Sequence, residues 1–581
     1  MSSSVGRNSL IMASGTAASR VTGQLRTILL AAALGTTGLA ANAYQAGAII
    51  PQSVFILVSG GVFNAVLVPQ IVRTLEEKDA QERLNRLITL AIIILLTVTV
   101  VMACASPLLA RIYVGGNDPQ MIALTTSFTL WCMPQVFFYG LYTVLGQILA
   151  AKNRFGMYAW SSTGANIISC AGFTAFVLLF GKANEQPLDF WTPDKIALTA
   201  GAWTLGVAFQ ALILFLPMMK LGLKYRPQFG LSGFGLRAMG PVALGSLGVV
   251  IVSELSGIIQ TRVATLAPMK AHEMSGIGLF DVAGNATYQN AFTLYILPYS
   301  LIAVSVATAM FPKISKSIAN HDLDEARQDL LGAMNNVTLL ITFFAIAMVV
   351  YPEPIIRALL PSVSMNETML IAYALMGLSL GVPIVSINLL IQRTFYAFED
   401  GLHPFLCALI SYGCLTVIIV IGMLVLPPEY WVFANAIAVP IGYAIGTPPT
   451  LLMLRRKFHG HLGLRPFVIT FLKCTCAAIV SGVVVWLLKT PVVSLFGANI
   501  QPARHLNPGD NAAALAASPA AQAITPDAGQ MSWLSSIGIC ITLTIVLTVV
   551  YVGVLWLLRT KELTVLARPV LARMKRLVKN H

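Results

Sequence analysis

Residues 19–27 read SRVTGQLRT, and the sequence on either side is almost purely apolar, so Arg20 and Arg26 stand inside the first stretch long enough to cross a bilayer. A charged side chain near a bilayer centre costs at least about 2.5–3.5 kcal/mol on insertion scales. On a helix, residues six apart are separated by about 9 Å along the axis and about 120° around it. The two guanidiniums therefore cannot form one narrow stripe, but both can face a wide cavity. There they could grip an anion, above all a pyrophosphate, by bidentate hydrogen bonds. The alternatives are that Arg20 bonds carbonyls of neighbouring helices and that Arg26 snorkels outward. Ser19, Thr22, Gln24 and Thr27 add hydrogen-bonding capacity, and Gly15 and Gly23 leave room for a close helix or ligand.

Of the 23 acidic residues, Glu254 in VVIVSELSGIIQ alone lies deep in an apolar stretch. It either pairs with Arg20 or Arg26, carries a proton or cation, or sits protonated in a packed interior. Asn42, Asn166, Asn290, Thr293 and several glutamines also fall in apolar stretches, where interhelical hydrogen bonds are their ordinary use. The eight cysteines all lie in apolar runs with neither disulfide nor zinc spacing. No Walker A sequence, metal-ligand cluster or hydrolase elbow is present, so the chain reads as a non-enzyme without a cofactor.

The elements that must carry these residues are membrane helices. The chain has 581 residues, 57% hydrophobic and 10% charged, against roughly 25% charged in soluble domains. Fourteen spans are predicted, at about 8–34, 38–70, 85–109, 121–150, 156–181, 196–221, 235–266, 280–311, 330–351, 367–396, 402–426, 430–454, 465–488 and 531–558. With both termini cytoplasmic, the inner segments, counting Arg86 at the start of the third span, hold 27 of the 37 basic residues. That asymmetry follows the positive-inside rule. The net charge of +14 therefore reports topology and contact with anionic lipid, not nucleic acid. The N-terminal stretch, with its internal arginines, is not read as a cleaved signal. The Ala/Pro-rich segment at about 490–530 is expected to be a disordered outer loop.

An internal repeat is visible. VFNAVLVPQIVRTLEEKDAQERLNRL near the end of span 2 parallels VATAMFPKISKSIANHDLDEARQDLL near the end of span 8. Six spans return the chain to its starting side, so a parallel repeat is expected. The lobes would be 1–226 and 227–457, with 458–581 holding two extra helices and a basic tail. The expected fold is all-α and polytopic. In such repeats the substrate site lies between the halves, and rocking gives alternating access.

SRVTGQLRTILLAAALG in span 1, VPQI closing span 2, NRFG after span 4 and LPYSLIAVSVATAMFPKIS in span 8 resemble the MurJ (MviN) lipid II flippases of the multidrug/oligosaccharidyl-lipid/polysaccharide (MOP) exporter superfamily. The resemblance implies transfer of a lipid-linked peptidoglycan precursor to the outer leaflet of a bacterial plasma membrane. It places Arg20 and Arg26, with Ser19 beside them, in a central cavity against the pyrophosphate-sugar headgroup. It gives the last two spans a groove for the undecaprenyl tail. This chain departs from the family pattern with Asn42-Ala43 early in span 2, Phe55 in PQSVFIL, and Asn290 and Thr293 in NAFTLYI, where acidic or basic residues are common. Glu254, Asn42, Asn290 and Thr293 are the further candidates for the cavity or for coupling to the membrane potential or a cation. Export of another polyprenyl-linked glycan or an amphipathic drug is the competing transport reading. A non-transporting scaffold that recruits cell-wall synthesis proteins is the competing reading of another class.

Overall fold

The computed structural model describes residues 2–60, 80–116, 118–152, 154–184, 186–221, 225–229, 241–500 and 531–563, and these are overwhelmingly helical. The chain divides into two compact units, Met1–Ala286 and Thr287–His581. The first holds α1 (Ser2–Leu34), α2 (Gly38–Val58), α3 (Ala80–Cys104), the short α4 (Ser106–Val114), α5 (Pro119–Cys132), α6 (Gln135–Ala151), α7 (Gly156–Phe180), α8 (Ala202–Leu212) and α9 (Pro241–Ser275). Next comes α10 (Asn285–Pro298), whose first two residues close the first unit and whose remainder, from Thr287, opens the second. That unit continues with α11 (Val304–Ala319), α12 (Leu323–Val350), α13 (Met365–Ser379), α14 (Val382–Ala397), α15 (Leu402–Val425), α16 (Trp431–Lys457), α17 (Arg465–Leu495) and α18 (Trp533–Leu557).

Among the described residues, eleven helices are long and apolar enough to cross a membrane, or twelve if α13 and α14, bent by 45°, form one span. The fourteen expected from sequence include α1 and α2, whose polar residues keep them below that mark. Residues 61–70 of expected span 2 lie outside the described residues. Some boundaries also differ. Span 7 is realised as Pro241–Ser275, beyond the expected 266, and α17 runs to Leu495, so the expected outer loop begins as helix. Residues 501–530 and the basic tail from 564 lie outside the described residues.

Local chemistry explains where the helices start and break. Asp118 Oδ1 accepts from the Gln120 and Met121 amides at 2.8 and 3.2 Å, ahead of Pro119 at the first helical position. Ser364 and Glu367 close a reciprocal capping box at the start of α13. Expected span 4 is built as α5 and α6, interrupted where Pro134 has no N–H to donate. Span 8 is likewise built in two parts, because Pro298 is followed by a π-turn at Tyr299–Ala303.

In the first unit α1 lies along α7, and Gly15 sets their approach: a Cβ there would stand 2.8 Å from the Ala159 backbone. Tyr44, Phe128, Phe176, Trp191 and Trp203 form a buried aromatic layer. In the second unit α17 and α18 pack together and against α12, and the contacts repeat at both ends of the bundle. Near one end, Lys489 pairs with Glu353 at 2.7 Å and Trp533 Nε1 donates to Ala358 O at 3.0 Å. Near the other, Glu562 Oε1 accepts from Asn335 Nδ2 at 2.9 Å and from Thr470 Oγ1 at 3.1 Å.

Candidate functional site

Arg20 is exposed and Arg26 half-buried on α1, as their angular separation requires. The Arg26 guanidinium carbon lies 4.8 Å from the centre of the Trp203 ring on α8, a cation–π distance. Tyr44 stacks on the other partner of that contact, with ring centres 6.0 Å apart and planes at 24° to Trp203. Phe128 meets Tyr44 edge-on at 5.2 Å. Nothing in the helical periodicity pointed to Trp203, which stands 177 positions from Arg26. Only the packing of α1, α2, α5 and α8 brings these rings together.

The neighbouring polar residues are mostly occupied by structure. Asn166 on α7 donates to Ser19 O at 3.0 Å and to Thr22 Oγ1 at 3.2 Å, stitching α7 to α1. Thr22 and Thr27 turn their hydroxyls onto the Ala18 and Gly23 carbonyls of their own helix, at 2.9 and 3.1 Å. Their donors are thus withdrawn from any ligand. The half-buried Ser19 contributes its carbonyl to the same seam.

Glu254 is half-buried on α9. Among the described residues it forms no ion pair with Arg20 or Arg26. Asn42 is fully buried, and its Oδ1 accepts from the Ala286 amide at 2.8 Å in the first turn of α10. Asn290 is buried in the second unit. Thr293 is also there, with its hydroxyl bonded to Gln289 O at 2.9 Å. The structure thus brings Ser19, Arg20 and Arg26 together on one helix and gives Glu254 and Asn42 separate surroundings in the same unit.

These features define a polytopic helical membrane protein. The fold is shared with a solved lipid II flippase MurJ in an inward closed conformation, at a TM-score of 0.66 and 18% identity over 93% of this chain and 98% of that one. It is shared more distantly with an inward-facing multidrug resistance MATE family transporter of the MOP superfamily, at a TM-score of 0.54 and 14% identity over 75% and 95%. The family described as lipid II flippase MurJ matches residues 30–500. A probable lipid II flippase MurJ of Rhizobium tropici is 25% identical over 400 residues, 67% of this chain and 70% of the relative. The chain belongs to the lipid II flippase MurJ family.

Proposed function

We propose that the chain carries lipid II, or a closely related polyprenyl-pyrophosphate lipid, from the inner to the outer leaflet of a bacterial plasma membrane. Arg20 and Arg26 bind the pyrophosphate, with Ser19 beside them, while the tail stays in lipid along α17 and α18. The observation that carries this reading is the pair of guanidiniums on α1 in a chain of this family, one of them set on the Trp203 ring within the first unit. Lobes 1–226 and 227–457 rock to alternate access, both termini face the cytoplasm, and the membrane potential or a cation biases the cycle. Glu254, Asn42, Asn290 and Thr293 line the path or take part in coupling.

The test is depletion of the protein in a strain without a redundant flippase, followed by measurement of outer-leaflet lipid II. Rescue is then attempted with wild type, Arg20→Ala and Arg26→Ala. Depletion is expected to empty the outer leaflet, and each alanine variant to restore it poorly. Unchanged outer-leaflet lipid II on depletion sinks the flippase reading. Full rescue by both variants leaves the flippase standing and removes the headgroup role.

A further inference from the structure

Arg26 presents an unusual combination. It is half-buried, it stands 4.8 Å over the Trp203 ring, and among the described residues it makes no hydrogen bond or ion pair. A free arginine side chain samples many rotamers, and binding an anion must freeze them. A tryptophan face can do that freezing in advance. It attracts the cation through the ring quadrupole, most strongly where water is scarce. It engages the flat face of the guanidinium, so the in-plane N–H groups stay available to a bidentate acceptor.

The ring is itself held. Trp203 is 8% exposed, Tyr44 is 1% exposed and stacks on it, and Phe128 is fully buried against the Tyr44 edge. Three helices other than α1 therefore fix the plane on which Arg26 rests.

We propose that Trp203, braced by Tyr44, is the positioning residue for Arg26, holding its guanidinium with the N–H edge turned to a phosphate oxyanion of the translocated lipid. The inference rests on the headgroup role given to Arg26 above and adds the residue through which that role is preorganised.

The experiment measures lipid II binding to the full-length chain in detergent by microscale thermophoresis, with thermal unfolding recorded for each variant. Trp203→Leu keeps an apolar side chain but removes the aromatic face, and Trp203→Phe keeps a weaker one. Arg26→Ala and Trp203→Leu are each expected to weaken binding about tenfold, and Trp203→Phe to stay within about threefold of wild type. The Arg26→Ala/Trp203→Leu double variant should bind no more weakly than Arg26→Ala alone, because Trp203 acts only through Arg26. Trp203→Met carries the same arms if Trp203→Leu does not fold. Losses that add in the double variant overturn the proposal, since Trp203 then acts independently. Wild-type binding by a folded Trp203→Leu beside a weakened Arg26→Ala overturns it alone. Wild-type binding by Arg26→Ala overturns the headgroup role and the proposal together.

Discussion

The Asn42 side-chain oxygen accepts a hydrogen bond from the Ala286 amide at 2.8 Å, joining residues 244 positions apart. The bond caps one of the orphan donors at the start of α10. Gly284 makes room for it, because a Cβ there would collide with the Asn42 side-chain amide.

Asn42→Ala should therefore lower stability by about 0.5–2 kcal/mol, the usual loss for removing a cap. Asn42→Asp keeps the acceptor but puts a carboxylate at a fully buried position, where desolvation opposes the favourable helix N-terminus. Thermal unfolding of the purified chain should place wild type above Asn42→Ala. Equal midpoints for the two would show that the cap contributes nothing.

Lys489 and Glu353 form an ion pair at 2.7 Å, with side chains only 17% and 10% exposed, and Lys489 Nζ also donates to Val350 O at 3.2 Å. Breaking a buried pair on one side leaves an uncompensated charge, at about 3–5 kcal/mol. Lys489→Met should destabilise by that order, whereas Lys489→Met/Glu353→Leu should recover most of it. A double variant as unstable as the single one would mean that the pair itself, and not the orphaned carboxylate, is the stabilising element.

Asp400, in the turn between α14 and α15, accepts from Lys457 Nζ at 2.7 Å, from the His403 ring at 2.6 Å and from the His403 amide at 3.1 Å. Partial burial pushes its pKa up, but those hydrogen bonds outweigh it and hold the carboxyl below the usual value. A depressed folded-state pKa contributes stability that is present above the unfolded value of about 3.9 and is lost as pH falls through the folded one. Asp400→Asn should thus lower the unfolding midpoint at pH 7, and the gap from wild type should shrink as pH falls below about 4. A gap unchanged across that window would place the effect outside the ionisation of Asp400.

Much of the fold was legible because bilayer thickness fixes how long an apolar run must be. Pro51 and Pro298 could be seen inside spans 2 and 8. Whether a proline kinks a helix, interrupts it or introduces a π-turn depends on the neighbours that satisfy the freed carbonyl, so Pro134 and Pro298 gave different outcomes. At the site, Arg20 and Arg26 stood out by their cost in a span. Trp203 and Tyr44 did not, because an aromatic residue in a membrane helix is ordinary until its partner is known. Thr22 and Thr27 read as ligand donors, yet a hydroxyl on a helix readily bonds the carbonyl one turn back.

The π-turn at Tyr299–Ala303 acts as a phase shifter within one span. A π-bulge holds one residue more than an α-turn, and one residue is worth about 100° of rotation. The angular position of the residues on α11, among them Lys313, whose Nζ meets Asp329 on α12 at 2.5 Å, is thus shifted by a single inserted peptide unit. Two stretches of one chain segment can in this way address different neighbours without a loop between them.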